Sequence, residues 1–126
     1  GTNDLKAHFG LSPDEVAEGA GTLLDIALSD EMQKRHGGFE PFLIAPPPPF
    51  EAGVLSEEFS GSGAKAEQFT EALRKQAEAR DVAFFDAGQV IACSPVDGVH
   101  FGAEAHAELG QAFAKFLLSE IETNAG

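Results

Sequence analysis

The chain has one cysteine, Cys93, and neither tryptophan nor tyrosine. A lone thiol excludes an intrachain disulfide, so the fold does not depend on an oxidising compartment. Without Trp and Tyr, the large apolar pieces available to a core are the 11 phenylalanines. Basic residues are scarce: 8 Lys and Arg stand against 21 Asp and Glu, for a net charge of −13 at pH 7. That balance repels phosphate backbones and anionic lipid, so nucleic acid is excluded as an expected partner. The acids are scattered rather than run together and read as a solvated surface, not a recognition tract. No apolar run approaches the roughly 20 residues that span a bilayer, so no membrane partner is expected, and the expected location is cytoplasmic. No glycine-rich phosphate loop is present either. The stretch Gly61–Ser62–Gly63–Ala64–Lys65 lacks the spacing and the hydroxyl residue after Lys that a P-loop needs, which disfavours a nucleotide-binding domain.

What the chain does have is enough apolar residues, 43% of 126, to build the core of one small domain. Ser12–Pro13–Asp14–Glu15 is a helix start, with a capping Ser, Pro at the first helical position and Glu completing a capping box. Val16, Ala20, Leu23, Leu24, Ala27 and Leu28 then recur at helical spacing, and the helix is predicted to run to about Arg35, ended by Gly37–Gly38. Residues 41–45 form a short apolar run cut off by Pro46 to Pro49, which fits a buried strand entering a stiff loop. The irregular stretch continues to about residue 63, long enough to suggest a functional connection. A second helix is predicted over 64–80, with Phe69, Ala72, Leu73, Gln76 and Ala77 on one stripe, and a second strand over 82–85. The last helix is predicted over 103–121, buried through Ala105, Leu109, Ala112, Phe113, Phe116 and Leu117, with residues 122–126 fraying.

Helix, strand, helix, strand, helix implies α/β architecture with parallel strands. Two parallel strands do not make a stable sheet by themselves, because such sheets need several strands and cover on both faces. Gly1–Thr2–Asn3–Asp4 also resembles a loop that follows a strand. The expectation is that residues 1–126 form the C-terminal part of a larger single α/β domain.

In open α/β sheets, sites form beyond the carboxyl ends of the strands. The Gly1–Asp4 loop, the proline loop and the connection after Phe85 all fall at such ends. Asp97 and His100 are a carboxylate and an imidazole three residues apart, as a nucleophile's base and its orienting acid would be. The same residues are equally an Asp-Gly turn followed by a packed histidine. Asn3 can offer an amide to an oxyanion or can be an ordinary turn residue. The pattern leaves both pairs of readings open. Gly1 allows close backbone approach. His106 stands six residues past His100, which does not suit a helical metal pair, so no metal or other cofactor is expected. His36 fits a helix end, His8 and Phe9 a loop, and Cys93 a small buried position.

Together, Gly1–Thr2–Asn3–Asp4 and Asp97–Gly98–Val99–His100–Phe101, followed by an alanine-rich amphipathic helix, resemble the SGNH hydrolases, also called GDSL esterases and lipases. Their third block has the form Gly-x-Asn-Asp and their fifth Asp-x-x-His. The stretches 1–9, 45–50 and 84–91 are most similar to the arylesterase and acyltransferase (perhydrolase-type) branch. The resemblance implies a flavodoxin-like three-layer α/β/α sandwich with a parallel sheet, of which this chain is an incomplete C-terminal part. It implies His100 as general base, Asp97 as the acid that orients it and Asn3 as an oxyanion donor, in an enzyme acting on short-chain or aryl esters through an acyl-enzyme. The family's nucleophile belongs to a Gly-Asp-Ser block. None of Ser12, Ser29, Ser56, Ser60, Ser62, Ser94 or Ser119 has that context. Gly102 stands where the family often has Ser or Thr, a change Gly tolerates as a cap. The expected partners are therefore a small-molecule ester, an N-terminal fragment that carries the Ser, and further copies of the chain in a homo-oligomer. By itself the chain is expected to be inactive. The alternative is a non-catalytic half-domain that serves assembly or binding.

Overall fold

The structure, a computed structural model, describes residues 1–124. Two 3-10 turns, Thr2–Leu5 and Ala7–Phe9, precede helix α1 (Pro13–Leu28). Then come a short helix α2 (Asp30–Arg35), strand β1 (Phe42–Ala45), helix α3 (Ser62–Glu78), strand β2 (Ala83–Asp86) and helix α4 (Ala103–Asn124). The order agrees with the expected alternation. The capping box at Ser12 is present: the Glu15 amide donates to Ser12 Oγ at 3.2 Å and the Ser12 amide to Glu15 Oε2 at 2.8 Å. The first helix does not run on to Arg35. It breaks at Ser29, which is extended and whose hydroxyl accepts from the Met32 amide, so a second N-cap restarts the chain as α2.

The two strands pair in parallel, Phe42 beside Ala83 through Ala45 beside Asp86. Alternation then sorts their side chains to the two faces. On one face Leu43, Ala45 and Phe84 meet Leu5, Val16, Ala17, Phe69, Ala72 and Leu73 of the first turn, α1 and α3. On the other face Phe42 and Phe85 meet Phe113 and Phe116 of α4, with ring centroids 5.2–6.3 Å apart. The sheet thus lies between two helical layers, in the mixed α/β arrangement expected. The α4 stripe is the expected one, but all six of its residues are half-buried rather than buried. Helix α4 continues past residue 121 to Asn124, further than expected; Ala125 and Gly126 of the tail lie outside the described residues. Among the described residues no helix is long and apolar enough to cross a membrane.

Helices α1 and α3 approach closely at Gly21, where a Cβ would run into the Gln76 side chain. One turn on, Arg80 grips Asp25 with two bonds of 2.6 and 3.0 Å. That bidentate pairing raises the guanidinium pKa and lowers the carboxyl's. Leu23 (68% exposed) and Leu28, expected in the core, lie on the outer flank of α1, because Val16, Ala17 and Leu24 are the residues that turn inward. In α3, Gln76 belongs to the Arg80 cluster and the other four residues of the expected stripe are buried. Gly61, at φ +77°, caps α3, and Lys65 donates to the Leu11 carbonyl at 3.1 Å, so the Gly61–Lys65 stretch is a helix start tied to the α1 entry.

Phe69 closes the main core and also meets Gly1, where a Cβ would stand 2.6 Å from its Cζ. Phe69→Ala is expected to lower stability by about 3–5 kcal/mol, read as a drop in the urea midpoint. It should also loosen the first turn, read as faster amide exchange over residues 2–6.

Candidate active site

Parallel pairing brings both strands out on the same side. There β1 enters Pro46–Pro49 and β2 enters the 3-10 turn Ala87–Gln89. The two exits touch: a Cβ on Gly88 would lie 3.0 Å from Pro48 Cδ. Pro47 and Pro49 are fully buried. Cys93, buried as expected, directs its thiol at the Pro47 carbonyl at 3.7 Å, and burial pushes that thiol's pKa up.

Beyond the prolines, the loop reaches the second motif. The Phe50 amide donates to the Gly98 carbonyl at 2.9 Å. A Cβ on Gly98 would run into the Phe50 carbonyl oxygen, and one on Gly53 would run into the carbonyl oxygen of Val96. Both glycines hold positive φ, +73° and +54°. The motif is also closed on itself, Gly98 donating to the Ser94 carbonyl and Ser94 to the His100 carbonyl, each at 2.7 Å.

This turn folds three donors around one carboxylate. Asp97 Oδ1 accepts the amides of Val99 and His100 at 3.0 and 2.9 Å, and Oδ2 lies 2.7 Å from His100 Nδ1. Those bonds, the two backbone ones first, hold the Asp97 pKa down at about 2. An ionised carboxylate only accepts, so Nδ1 carries the hydrogen and the neutral ring has its lone pair on Nε2. Asp97 is 18% exposed and His100 is 75% exposed. Among the described residues Nε2 has no hydrogen-bond partner. An oriented imidazole with an outward lone pair can accept a proton from a hydroxyl brought against it.

The structure thus joins two of the three candidate residues directly. Asn3 stands on a separate element, the Thr2–Leu5 turn, with its side chain exposed and, among the described residues, without a side-chain hydrogen bond. The loop that braces Asp97 also holds the start of the chain: the Ala7 amide donates to the Glu58 carbonyl at 2.7 Å, and Lys6 pairs with Glu58 at 2.8 Å. The Asp-Gly signal made the turn legible; the bracing by Phe50 and Gly53 carried no sequence signal. His106 rests against Phe101, and His36 caps α2. Among the described residues no group of three or more His, Cys, Asp or Glu is placed to hold a metal.

Two outcomes test this geometry. Gly98→Ala forces a left-handed residue and a clash with Phe50. Each of these costs about 1–3 kcal/mol, to be read as a lower denaturant midpoint. A carboxyl held low in the fold and at an ordinary value in the unfolded chain adds stability that is complete above about pH 4. That stability is lost as pH falls towards about 2. The gap in urea midpoint between the parent and Asp97→Asn should therefore close as the pH falls below about 4.

No protein-family model matches the sequence, and no curated protein matches it. Solved structures do. A carbohydrate acetylesterase from Sinorhizobium meliloti superposes with a TM-score of 0.86 at 30% identity, over 94% of this chain. The aryl esterase of M. smegmatis gives 0.85 at 30% identity, also over 94%. A second carbohydrate acetylesterase family member from S. meliloti gives 0.82 at 26% identity over 93%. The chain spans 57% of the length of the first two and 56% of the third. In fold, and at 26–30% identity in sequence, the chain is similar to arylesterases and carbohydrate acetylesterases over somewhat more than half of their length.

Proposed function

We propose that residues 1–126 are the C-terminal part of a single SGNH hydrolase domain. Completed by an N-terminal segment that bears the nucleophilic Ser, it is a serine ester hydrolase or acyltransferase for short-chain or aryl esters. The observation that carries this reading is the 2.7 Å contact between Asp97 Oδ2 and His100 Nδ1, with the imidazole open to solvent. The relatedness to esterases supports it.

The Ser hydroxyl attacks the ester carbonyl, and its proton passes to His100 Nε2. Asp97 keeps the ring in the Nδ1–H tautomer and stabilises the imidazolium that forms. The tetrahedral oxyanion takes hydrogen bonds from the Asn3 amide and from backbone N–H groups. As the tetrahedral centre collapses, the ester C–O bond breaks and His100 returns its proton to the leaving alcohol. Water, another alcohol or peroxide then attacks the acyl-serine and gives its proton to His100; the acyl–Ser bond breaks, and the Ser oxygen takes that proton back.

The test is hydrolysis of 4-nitrophenyl acetate by a longer polypeptide that carries the upstream Ser. His100→Ala and Asp97→Asn are each expected to lower kcat by about 10⁴-fold, and Asn3→Ala by about 10²–10³-fold, with the fold intact by circular dichroism. A fluorophosphonate should label a Ser outside residues 1–126. Labelling of a Ser within them would overturn the assignment of the nucleophile. A folded, Ser-bearing polypeptide without esterase activity would favour a non-catalytic assembly module.

A further inference from the structure

Between the first turns and the loop that braces Asp97 lies a cleft of about 550 Å³, lined by Ala7, His8, Val54, Glu57 and Glu58. One wall follows Asn3 by a few residues. The other begins at Val54, next to Gly53, whose backbone packs on Val96 and Asp97. The cleft therefore lies between the segment that follows the Asn3 turn and the loop that packs on the Asp97 turn. Its walls are stitched together by the Ala7–Glu58 and Lys6–Glu58 bonds.

The lining has a definite chemistry. Val54 is 91% exposed and offers a bare apolar wall. The Glu58 carboxylate is engaged by Lys6 and is held low by that bond, with a smaller contribution from His8. Glu57 is exposed, and its carboxylate has no partner among the described residues. Two carboxylates thus face one ammonium and the His8 imidazole, on a chain of net charge −13.

Resting on the esterase reading, we propose that this cleft seats the alcohol half of the ester, and that Glu57 selects neutral or cationic alcohols over anionic ones. A short acyl group needs far less room than this. The leaving alcohol and the incoming acceptor must both pass in each turnover, and an open cleft with one apolar wall and a polar rim suits that traffic. A carboxylate on the alcohol would approach Glu57 with like charge, whereas an ammonium or a sugar hydroxyl would be accepted.

The experiment uses the longer, Ser-bearing polypeptide and compares kcat/KM for three acetyl esters of substituted phenols: neutral, carboxylated and trimethylammonium-bearing. Glu57→Gln is expected to raise the carboxylated-to-neutral ratio about three- to tenfold, as one unit charge at a few ångströms in water allows. The same change should lower the trimethylammonium-to-neutral ratio, and both effects should shrink in 0.5 M salt. Val54→Ser is expected to raise KM for the neutral aryl ester with kcat unchanged. Glu18→Gln, on the exposed side of α1, should leave every ratio as in the parent. Unchanged ratios in Glu57→Gln with hydrolysis intact would overturn the alcohol seat and leave the esterase reading standing. An equal shift in Glu18→Gln would overturn the assignment to this cleft, as would a Glu57 effect on 4-nitrophenyl hemisuccinate, whose charge lies on the acyl side. Absence of hydrolysis in the folded parent would remove both readings together.

Discussion

The Asp97 carboxylate is the constraint on which the candidate site depends. It gathers two backbone amides and one imidazole nitrogen onto two oxygens. Charge-assisted bonds of this kind are about twice as strong as neutral ones. They favour the ionised acid and fix the ring's tautomer in one arrangement. The geometry is local, spanning residues 97–100 inside a loop closed between Ser94 and His100. It needs one unusual backbone conformation, the left-handed one at Gly98, and sequence supplies the residue that adopts it without strain. The imidazole is therefore oriented by its own turn, before any contact from further along the chain.

Position is a different matter from orientation, and here the stretch from Pro46 to Gly61 decides. A connection of that length would ordinarily lose much entropy on ordering. Four consecutive prolines reduce the loss, because their φ angles are already restricted in the unfolded chain. Pro47 and Pro49 are buried, Pro48 meets Gly88, and Pro47 receives the Cys93 thiol. Past them, Phe50 and Gly53 touch the Asp97 turn, and Glu58 holds Lys6 and Ala7. Glu51 accepts from the Gly61 amide at 2.6 Å and closes the loop where α3 starts. A segment with no strand or α-helix, only the 3-10 turn Gly53–Leu55, is thus the frame that ties the two motif-bearing elements to the sheet.

Signals with a local cause were legible in the sequence. The capping box at Ser12, the two short strands, α3 and α4 each depend on neighbours within a few residues, and each stands within a few residues of its expected bounds, although the strands and the α4 stripe are only partly buried. The Asp97–His100 contact was legible for the same reason, since three residues across an Asp-Gly turn set it. The break at Ser29 was missed because apolar spacing continues through Leu28 while a single hydroxyl recaps the chain. Leu23 was assigned to the core because periodicity marks a stripe but not its edges. The bracing of Gly98 by Phe50 and of Gly53 by Val96 joins residues more than forty apart, and no periodic or compositional signal reports such a contact. Asn3 was legible only through its motif, as its turn conformation suits many roles.

The unequal cover on the two faces of the sheet sets the surroundings of the Asp97–His100 turn. On the α1 and α3 face, Leu5, Ala17 and Phe69 are almost wholly buried, so the first turn sits on a sealed core. On the α4 face the contact is a cluster of four phenylalanines, with half-buried rings meeting edge-on or tilted. Such pairs contribute about 0.5–1.5 kcal/mol each beyond their burial, enough to seat a helix but less than a closed core provides. His100 lies between these regimes, three residues before α4 begins and held on its other side by the proline loop. Its orientation comes from hydrogen bonds that move with the turn. Its placement comes from the Phe50 and Gly53 contacts beside it. The oriented couple is a property of the turn, and its reach toward a substrate is a property of the packing around it.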